Sequence, residues 1–343
     1  MYFAVLWKNP GISEAEIQLV KPEKISYPKK GIMVFDTKFP ELLPKLGGII
    51  KSGEVVKEKE LKWILENAKI VGIQNEANGK HLKRTIGIKR YKLVDIIHTD
   101  KEIKSKGKEI INLENGIYGL VERYQDIELY EAIDFGKPWR SMDMGMMPAK
   151  LAHIMVDIWL QQSTDKTNCV IYDPFVGSWT TGFQANAMRL NFIGSDIKTK
   201  YIIQNLAWRK TTKFYRDDRE FLVFDHDITQ KMERREIKEK ANDMIIVTEG
   251  RLGPIVSKTT PQQDIKKFQN QVEKVYTEFL EMIKNLWCPT AVFTIPRYSG
   301  QENTLEKKIS DYGTKIWLHI DGIPEVYGRS WQHVGRKIMI IKR

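Results

Sequence analysis

An apolar run, Val170-Ile-Tyr172, leads into Asp173-Pro-Phe-Val-Gly-Ser-Trp-Thr-Thr-Gly182, and no other stretch limits the possible folds of this chain as much. A short buried strand that passes through a strand-end acid and a glycine turn into a helix is the first half of a βαβ unit. In open α/β sheets ligands bind outside the carboxyl ends of the strands, near the point where the strand order reverses. The turn lets backbone approach a nucleoside-bearing ligand closely, and Thr180 and Thr181 stand where they can cap the helix. Asp173, Pro174, Phe175, Gly177, Thr180 and Thr181 are therefore expected to face the ligand.

The hydrophobic periodicity around the turn repeats the same unit. Helices are expected over 148–161, 180–190, 201–210, 264–286 and 305–312, and strands over 170–174, 192–196, 221–225, 244–248, 291–295, 315–320 and 337–341. Strands alternating with helices imply a parallel, doubly wound sheet. The last two strands, joined by the turn-rich stretch 321–336, suggest an antiparallel hairpin. Residues before this alternation read as a different, α+β region. Strands are expected over 3–7, 31–36, 49–56, 70–74, 85–91 and 117–122. Helices are expected over 13–20, 41–46, 59–68 and near 93–98. Ser13 would be the N-cap of the first helix, with Glu16 closing a capping box. Residues 126–140 read as extended. The expected division is an N-terminal region over 1–125, a connector over 126–145 and a Rossmann-like domain over 146–343.

Acids stand at the ends of the next three strands as well. Gly194-Ser-Asp196, followed by Ile197, is placed to hold both hydroxyls of a ribose; the competing reading of Asp196 is an ordinary helix N-cap. After the third strand, in Asp225-His-Asp227 with Ile228 beyond, a carboxylate can accept from an adenine amino group, or else Asp227 is a plain loop acid. The fourth strand ends in Val247-Thr-Glu-Gly-Arg-Leu-Gly253.

Composition narrows the class. Hydrophobic residues make up 42%, enough for proper cores, while no apolar run approaches the ~18 residues of a membrane span. Met1-Tyr-Phe-Ala-Val-Leu-Trp7 has no basic lead and reads as a first strand, not a targeting segment. Cys169 and Cys288 lie far apart without metal-ligand spacing, so neither a disulfide framework nor a metal site is expected, which fits a cytoplasmic protein. The net charge of +11 points to a polyanionic partner. The excess is concentrated in Lys80, Lys83, Arg84, Lys89, Arg90, Lys92, Lys101, Lys104, Lys106 and Lys108, against only Asp95, Asp100 and Glu102. A solvated charged face is the plainer reading of the same run.

Three stretches resemble the tRNA guanine-N2 methyltransferases that carry an N-terminal ferredoxin-like segment and a THUMP domain, together with related RNA methylases. Tyr124-Gln-Asp-Ile-Glu-Leu-Tyr130 with Asp134-Phe-Gly-Lys-Pro138 is similar to that family's connector. Met146-Met-Pro-Ala-Lys-Leu-Ala152 is similar to the helix covering the methionine end of the cofactor. Asp173-Pro-Phe-Val-Gly177 is similar to its cofactor-binding turn. The likeness spans 124–343 well and 2–123 loosely.

The resemblance implies a class I methyltransferase domain, S-adenosylmethionine as cofactor, structured RNA such as tRNA as partner, and an exocyclic base amine as acceptor. Asp173 and Gly177 would then shape the methionine side, Asp196 the ribose and Asp227 the adenine. Thr248, Glu249 and Arg251 would face the acceptor, Arg251 stacking on a base or contacting phosphate. A small activating subunit and a homodimer both stay open.

The chain departs from the family twice near the site. Trp179 stands where a second glycine is usual, and Thr248-Glu249-Gly250-Arg251 replaces an acid or Asn followed by Pro-Pro-Tyr. Two other readings therefore stand beside the enzyme: an RNA-binding protein that has lost catalysis, with the indole filling the pocket, and a DNA amino-methyltransferase.

Each phosphate contact releases counterions, so binding of tRNA through the basic run should fall steeply with salt. Reversing Lys104, Lys106 and Lys108 to Glu should weaken binding and flatten the salt slope. A triple variant that titrates like the parent across the salt series would leave the run as a solvated surface.

Overall fold

The computed structural model describes residues 1–66, 68, 70–73, 92–95, 107–140, 146–161, 169–200, 202–216, 218–288, 290–299, 304–328 and 332–342. The chain forms two compact units, Met1–Gln125 and Asp126–Arg343. Among the described residues no helix is long and apolar enough to cross a membrane.

The first unit is built on β1 (Tyr2–Leu6), α1 (Pro10–Ile17), β2 (Glu23–Lys29), β3 (Ile32–Asp36), β4 (Ile49–Lys57), α2 (Glu58–Glu66), β5 (Ile70–Ile73), β6 (Lys92–Asp95), β7 (Gly107–Asn112) and β8 (Ile117–Tyr124). One sheet takes the order β2-β3-β1-β4-β8-β7-β5-β6. It is antiparallel from β2 to β7 and parallel across β7, β5 and β6. The period of two is visible in β1. Ala4 and Leu6 pack with Ile17, Met33, Phe35 and Leu43 on one face, while Phe3 packs with Val34, Ile111 and Val121 on the other.

Several local expectations change here. The helix α1 starts at Pro10 behind Asn9, because proline suits the first turn, where no donor is needed. Ser13 lies inside the helix, and its hydroxyl accepts from the Trp7 N–H at 3.3 Å. Glu16 closes no capping box; it is buried and accepts from the Gly47 and Gly48 amides at 2.6 and 2.7 Å. The strand β2 went unread because its side chains are largely exposed and Pro28 suits only an edge. Residues 93–95, expected to begin a helix, are strand, since a short apolar run does not separate the two states. The expected strand over 85–91 lies outside the described residues.

The second unit contains α3 (Ile127–Phe135), α4 (Ala149–Leu160), β9 (Val170–Asp173), α5 (Thr180–Ala187), β10 (Asn191–Asp196), α6 (Ile202–Arg209), β11 (Phe221–Asp225), α7 (Arg235–Lys240), β12 (Met244–Thr248), α8 (Gln262–Asn285), β13 (Thr290–Tyr298), α9 (Thr304–Lys315), β14 (His319–Tyr327) and β15 (Val334–Lys342). Where an extended connector was expected, α3 forms instead, capped by Asp126, which accepts from the Leu129 N–H at 3.3 Å.

The sheet order β11-β10-β9-β12-β13-β15-β14 reverses between β9 and β12. The neighbours from β11 to β13 are parallel, and β15 inserts antiparallel between β13 and β14. This is a Rossmann-like α/β domain. Both β9 and β12 are buried at every position, as central strands covered on two faces are. Against them α8 lays Val272, Tyr276, Phe279, Leu280 and Ile283 at helical spacing.

Glu16 gives the first unit a measurable dependence. Replacing it with Ala leaves two buried amide donors unpaired, each costing about 1–3 kcal/mol. Glu16→Ala should lower the unfolding free energy of the unit by about 2–4 kcal/mol, seen as a lower denaturation midpoint at unchanged denaturant dependence, and Glu16→Gln by about half of that. A loss under about 0.5 kcal/mol for Glu16→Ala would show that water replaces the carboxylate.

Candidate active site

A cavity of about 530 Å³ opens at the carboxyl ends of the strands, where the order reverses. The ends of β9 and β10 and the loops after β11 and β12 reach it. Asp173, Pro174, Phe175, Gly177, Thr180 and Thr181 line it from the turn after β9, and Asp196 and Ile197 from β10. Asp227 and Ile228 contribute from the loop after β11, and Glu249 and Arg251 from the loop after β12. Thr248, expected beside the acceptor, does not line it. Of the expected RNA contacts, Lys108 lies in β7 of the first unit. Lys80, Lys83, Arg84, Lys89, Arg90, Lys104 and Lys106 lie outside the described residues.

Asp173 is buried at the end of β9. Its Oδ1 accepts from the Thr248 hydroxyl at 2.5 Å and from the Phe175 N–H at 3.0 Å, so Thr248 serves the turn rather than the acceptor. Burial pushes the Asp173 carboxyl up to about 7, against the pull of these donors. Asp196 is raised by burial too, and its Oδ2 accepts from the Gly177 N–H at 2.9 Å. With Val176 donating to the Ser195 carbonyl at 3.0 Å, the turn is stitched to β10 along its length.

Asp227 accepts from the amide and hydroxyl of Thr229 at 3.0 and 2.9 Å, which hold it below the usual carboxylate range. His226, which sequence reasoning passed over, also lines the cavity. Its Nε2 is buried with no hydrogen-bond partner among the described residues.

Trp179 does not fill the cavity. The residue sits in the left-handed region (φ 71°) immediately before α5, and its indole is fully buried. Phe183, Phe192 and Phe221 meet it edge-on at 4.7, 5.8 and 5.5 Å, and the Arg209 guanidinium lies 5.0 Å from it. A β-carbon on Gly182 would stand 2.4 Å from the indole, so the ring takes the space that a side chain at 182 would need.

The loop after β12 is pinned from outside. Glu249 and Arg336 of β15 form a buried ion pair, and Arg336 Nη2 also donates to the Met146 carbonyl at 3.3 Å. Thr294 donates to the Glu249 carbonyl, and Tyr298 to the Leu252 carbonyl at 3.0 Å. Gly250 adopts φ 68°, and a β-carbon there would meet the Tyr276 hydroxyl at 2.3 Å. Glycine is required at 250 by both backbone and space. Burial pushes Tyr298 up to about 12 and raises Tyr276 well above the usual phenol range, so both hydroxyls remain donors.

The resembling connector has tasks of its own. Asp134 Oδ1 accepts from the Ala149 N–H at 2.8 Å and so caps α4. Asn205 of α6 accepts from the Trp139 amide at 2.9 Å and donates to the Trp139 and Ser178 carbonyls at 3.0 and 3.1 Å. Between these anchors Lys137 is buried beside the turn, a placement that sequence reasoning missed because the charge gave no sign of burial.

No family model and no curated protein matches the sequence. Among solved structures, the chain is similar to one provisionally termed a methyltransferase and solved with S-adenosylhomocysteine: 11% identity, 99% of this chain and 97% of that one covered, TM-score 0.47. A chain provisionally termed an RNA methyltransferase, from Pyrococcus horikoshii, is similar at 13% identity, with 63% and 96% covered and a TM-score of 0.38. A methyltransferase from Pyrococcus furiosus is similar at 11%, with 63% and 95% covered and a TM-score of 0.39.

Asp173 makes stability depend on pH in a definite direction. Its folded value lies above the ordinary 3.8, so the folded chain holds the extra proton between about pH 4 and about 7. Stability therefore falls as pH rises through that window, and the full cost, a few kcal/mol, is present above it. Asp173→Asn removes the titration. The melting temperature of the variant relative to the parent should climb from pH 4 to 7 and then level off. A difference that stays flat across the window would contradict a buried, protonatable Asp173.

Proposed function

We propose that the chain is an S-adenosylmethionine-dependent methyltransferase acting on an exocyclic base amine of structured RNA, with guanine N2 of tRNA as the acceptor. The observation that carries the reading is a cavity at the strand-order reversal with a carboxylate from each of four consecutive strand ends or following loops: Asp173, Asp196, Asp227 and Glu249. A volume of about 530 Å³ suits a nucleoside with an amino-acid tail. The residues fit such a group. Asp196 supplies acceptors for ribose hydroxyls, and the unpartnered His226 Nε2 leaves a polar atom for a base to satisfy. Asp173 and the turn after it would bound the methionine side.

When bound, the cofactor supplies an electrophilic methyl group on a sulfonium. The residues of the chain arrange the acceptor. Glu249, paired with Arg336, accepts a hydrogen bond from the acceptor amine and makes the nitrogen lone pair more available. The Thr294 and Tyr298 hydroxyls, bonded to the Glu249 and Leu252 carbonyls, keep the backbone of this loop from moving as the base enters. Arg251, exposed on the cavity rim, offers a guanidinium plane for a base or a charge for phosphate. The basic run over 80–108 would hold the RNA backbone, and the reading of the N-terminal region as ferredoxin-like and THUMP-like rests on its loose sequence resemblance. Activity in the cytoplasm follows from the same reading.

A second reading, RNA binding without transfer, has one observation behind it: Glu249 is already engaged by Arg336. Against it, the Trp179 indole leaves the cavity open.

Two substitutions separate the readings. Losing a charged hydrogen-bond acceptor costs about 1.5–3 kcal/mol, so Asp196→Ala should weaken S-adenosylmethionine binding about tenfold or more in calorimetry. Unchanged affinity in a folded variant removes Asp196 from the site. Glu249→Gln keeps an acceptor for Arg336 but lowers the charge facing the amine. Tritiated methyl transfer into bulk tRNA should fall about 100-fold or more while cofactor affinity stays within about twofold. Equal incorporation by parent and variant would exclude Glu249 from the chemistry. Cofactor binding with no transfer by either protein would favour the second reading.

A further inference from the structure

Lys137 is an ammonium in an unusual place. Only 2% of the residue is exposed, yet no carboxylate lies within ion-pair distance of Nζ among the described residues. It donates to two neutral hydroxyls, Ser178 Oγ at 3.1 Å and Thr180 Oγ1 at 2.7 Å. Asp134 and Glu249 attract it from further away, and Arg140 repels it. Burial pulls the group down to about 8, which still leaves it charged at neutral pH. A buried charge that meets only neutral partners is poorly compensated, so the described residues leave this corner without a counter-charge.

The chemistry of the contacts says where that counter-charge belongs. An ammonium only donates. Each hydroxyl oxygen that accepts from Lys137 must therefore send its own hydrogen elsewhere. Ser178 and Thr180 lie 3.5 Å apart, so one of the two hydrogens can pass between them and the other is left over. Both residues line the cavity, and Lys137 stands behind them. Thr180 also begins α5, whose first amides carry no intrahelical partner. This part of the wall is thus made of donors backed by a positive charge, whereas the strand ends elsewhere around the cavity bring carboxylates.

We propose that Lys137, Ser178 and Thr180 form a carboxylate subsite, in which Lys137 acts as a positioning residue that orients the two hydroxyls toward the carboxylate of an amino-acid tail. The inference rests on the methyltransferase reading, under which that tail is the methionine end of the cofactor. It deepens that reading by giving the connector motif Asp134-Phe-Gly-Lys-Pro138 a ligand-directed task. The subsite discriminates for the tail and is indifferent to the nucleoside.

The test compares two ligands that share a thioadenosine and differ in the tail. S-adenosylhomocysteine carries the amino acid; 5′-methylthioadenosine does not. In calorimetry on the full chain, the parent should bind the first more tightly than the second. Lys137→Met, which keeps the stem and removes the charge, should lose about tenfold or more on S-adenosylhomocysteine and change less than about twofold on methylthioadenosine. Ser178→Ala and Thr180→Val retain Lys137 and should each give a smaller loss with the same ligand selectivity, which keeps the test open if Lys137→Met does not fold. Equal losses on both ligands in these variants would make the cluster a structural brace and overturn the subsite, as would no loss on either. A loss of RNA binding with both small ligands unaffected would assign the charge to a phosphate and overturn it too. A parent that binds neither ligand removes the methyltransferase reading and the subsite together, whereas a parent that binds both equally removes the subsite alone.

Discussion

The carboxyl edge of the C-terminal sheet depends on one buried carboxylate. Asp173 ends β9, where the strand order turns back between β9 and β12. The bond from the Thr248 hydroxyl ties the end of β12 to Asp173, and the bond from the Phe175 amide ties in the turn. Both walls of the cavity therefore start from the same side chain. The arrangement holds the acid almost wholly buried, and its carboxyl is raised accordingly. The sheet accepts this cost in stability at the position where the cavity begins, as strained and desolvated groups at binding sites often require.

Around this point packing from neighbouring elements sets the backbone of the turn and of the loop after β12. Trp179 occupies a left-handed backbone position that would suit glycine, and an aromatic cluster of Phe183, Phe192 and Phe221 with Arg209 stacked on it holds the ring away from the ligand side. Gly182 then supplies the missing space one turn later. The loop after β12 follows the same logic. Its first stretch, from Glu249 to Gly253, has no proline, and hydroxyls from Thr294 and Tyr298 fasten the Glu249 and Leu252 carbonyls. Rigidity comes from neighbouring elements rather than from the local sequence.

The charges beneath the cavity divide into two arrangements. Glu249 and Arg336 neutralise each other in a buried pair, and breaking such a pair leaves an uncompensated charge. Lys137 has hydroxyls where Glu249 has a guanidinium. The difference separates a wall that is complete in itself from one that is finished by an anion.

The sequence alone determined the alternation of strands and helices in the C-terminal part, the doubly wound class, and the placing of the Asp173 turn, Asp196, Asp227 and Glu249 at one edge of a sheet. These follow from local rules: apolar periodicity, strand ends and glycine turns act within a dozen residues. Local rules also failed where the signal was short or missing. The apolar pair Leu93-Val94 did not separate helix from strand, the exposed edge strand Glu23–Lys29 carried no alternation, and the Asp126 cap was read as extended chain. Tertiary structure alone decided which way the Trp179 ring turns, that Thr248 serves Asp173, that Glu249 meets Arg336 from a strand inserted beside β13, and that Lys137 lies buried against Ser178 and Thr180. Except for the turn of the indole, each of these joins residues tens of positions apart. Their meeting depends on the order in which strands enter the sheet and on which side chains lose water there, and neither is set by any short stretch of the chain.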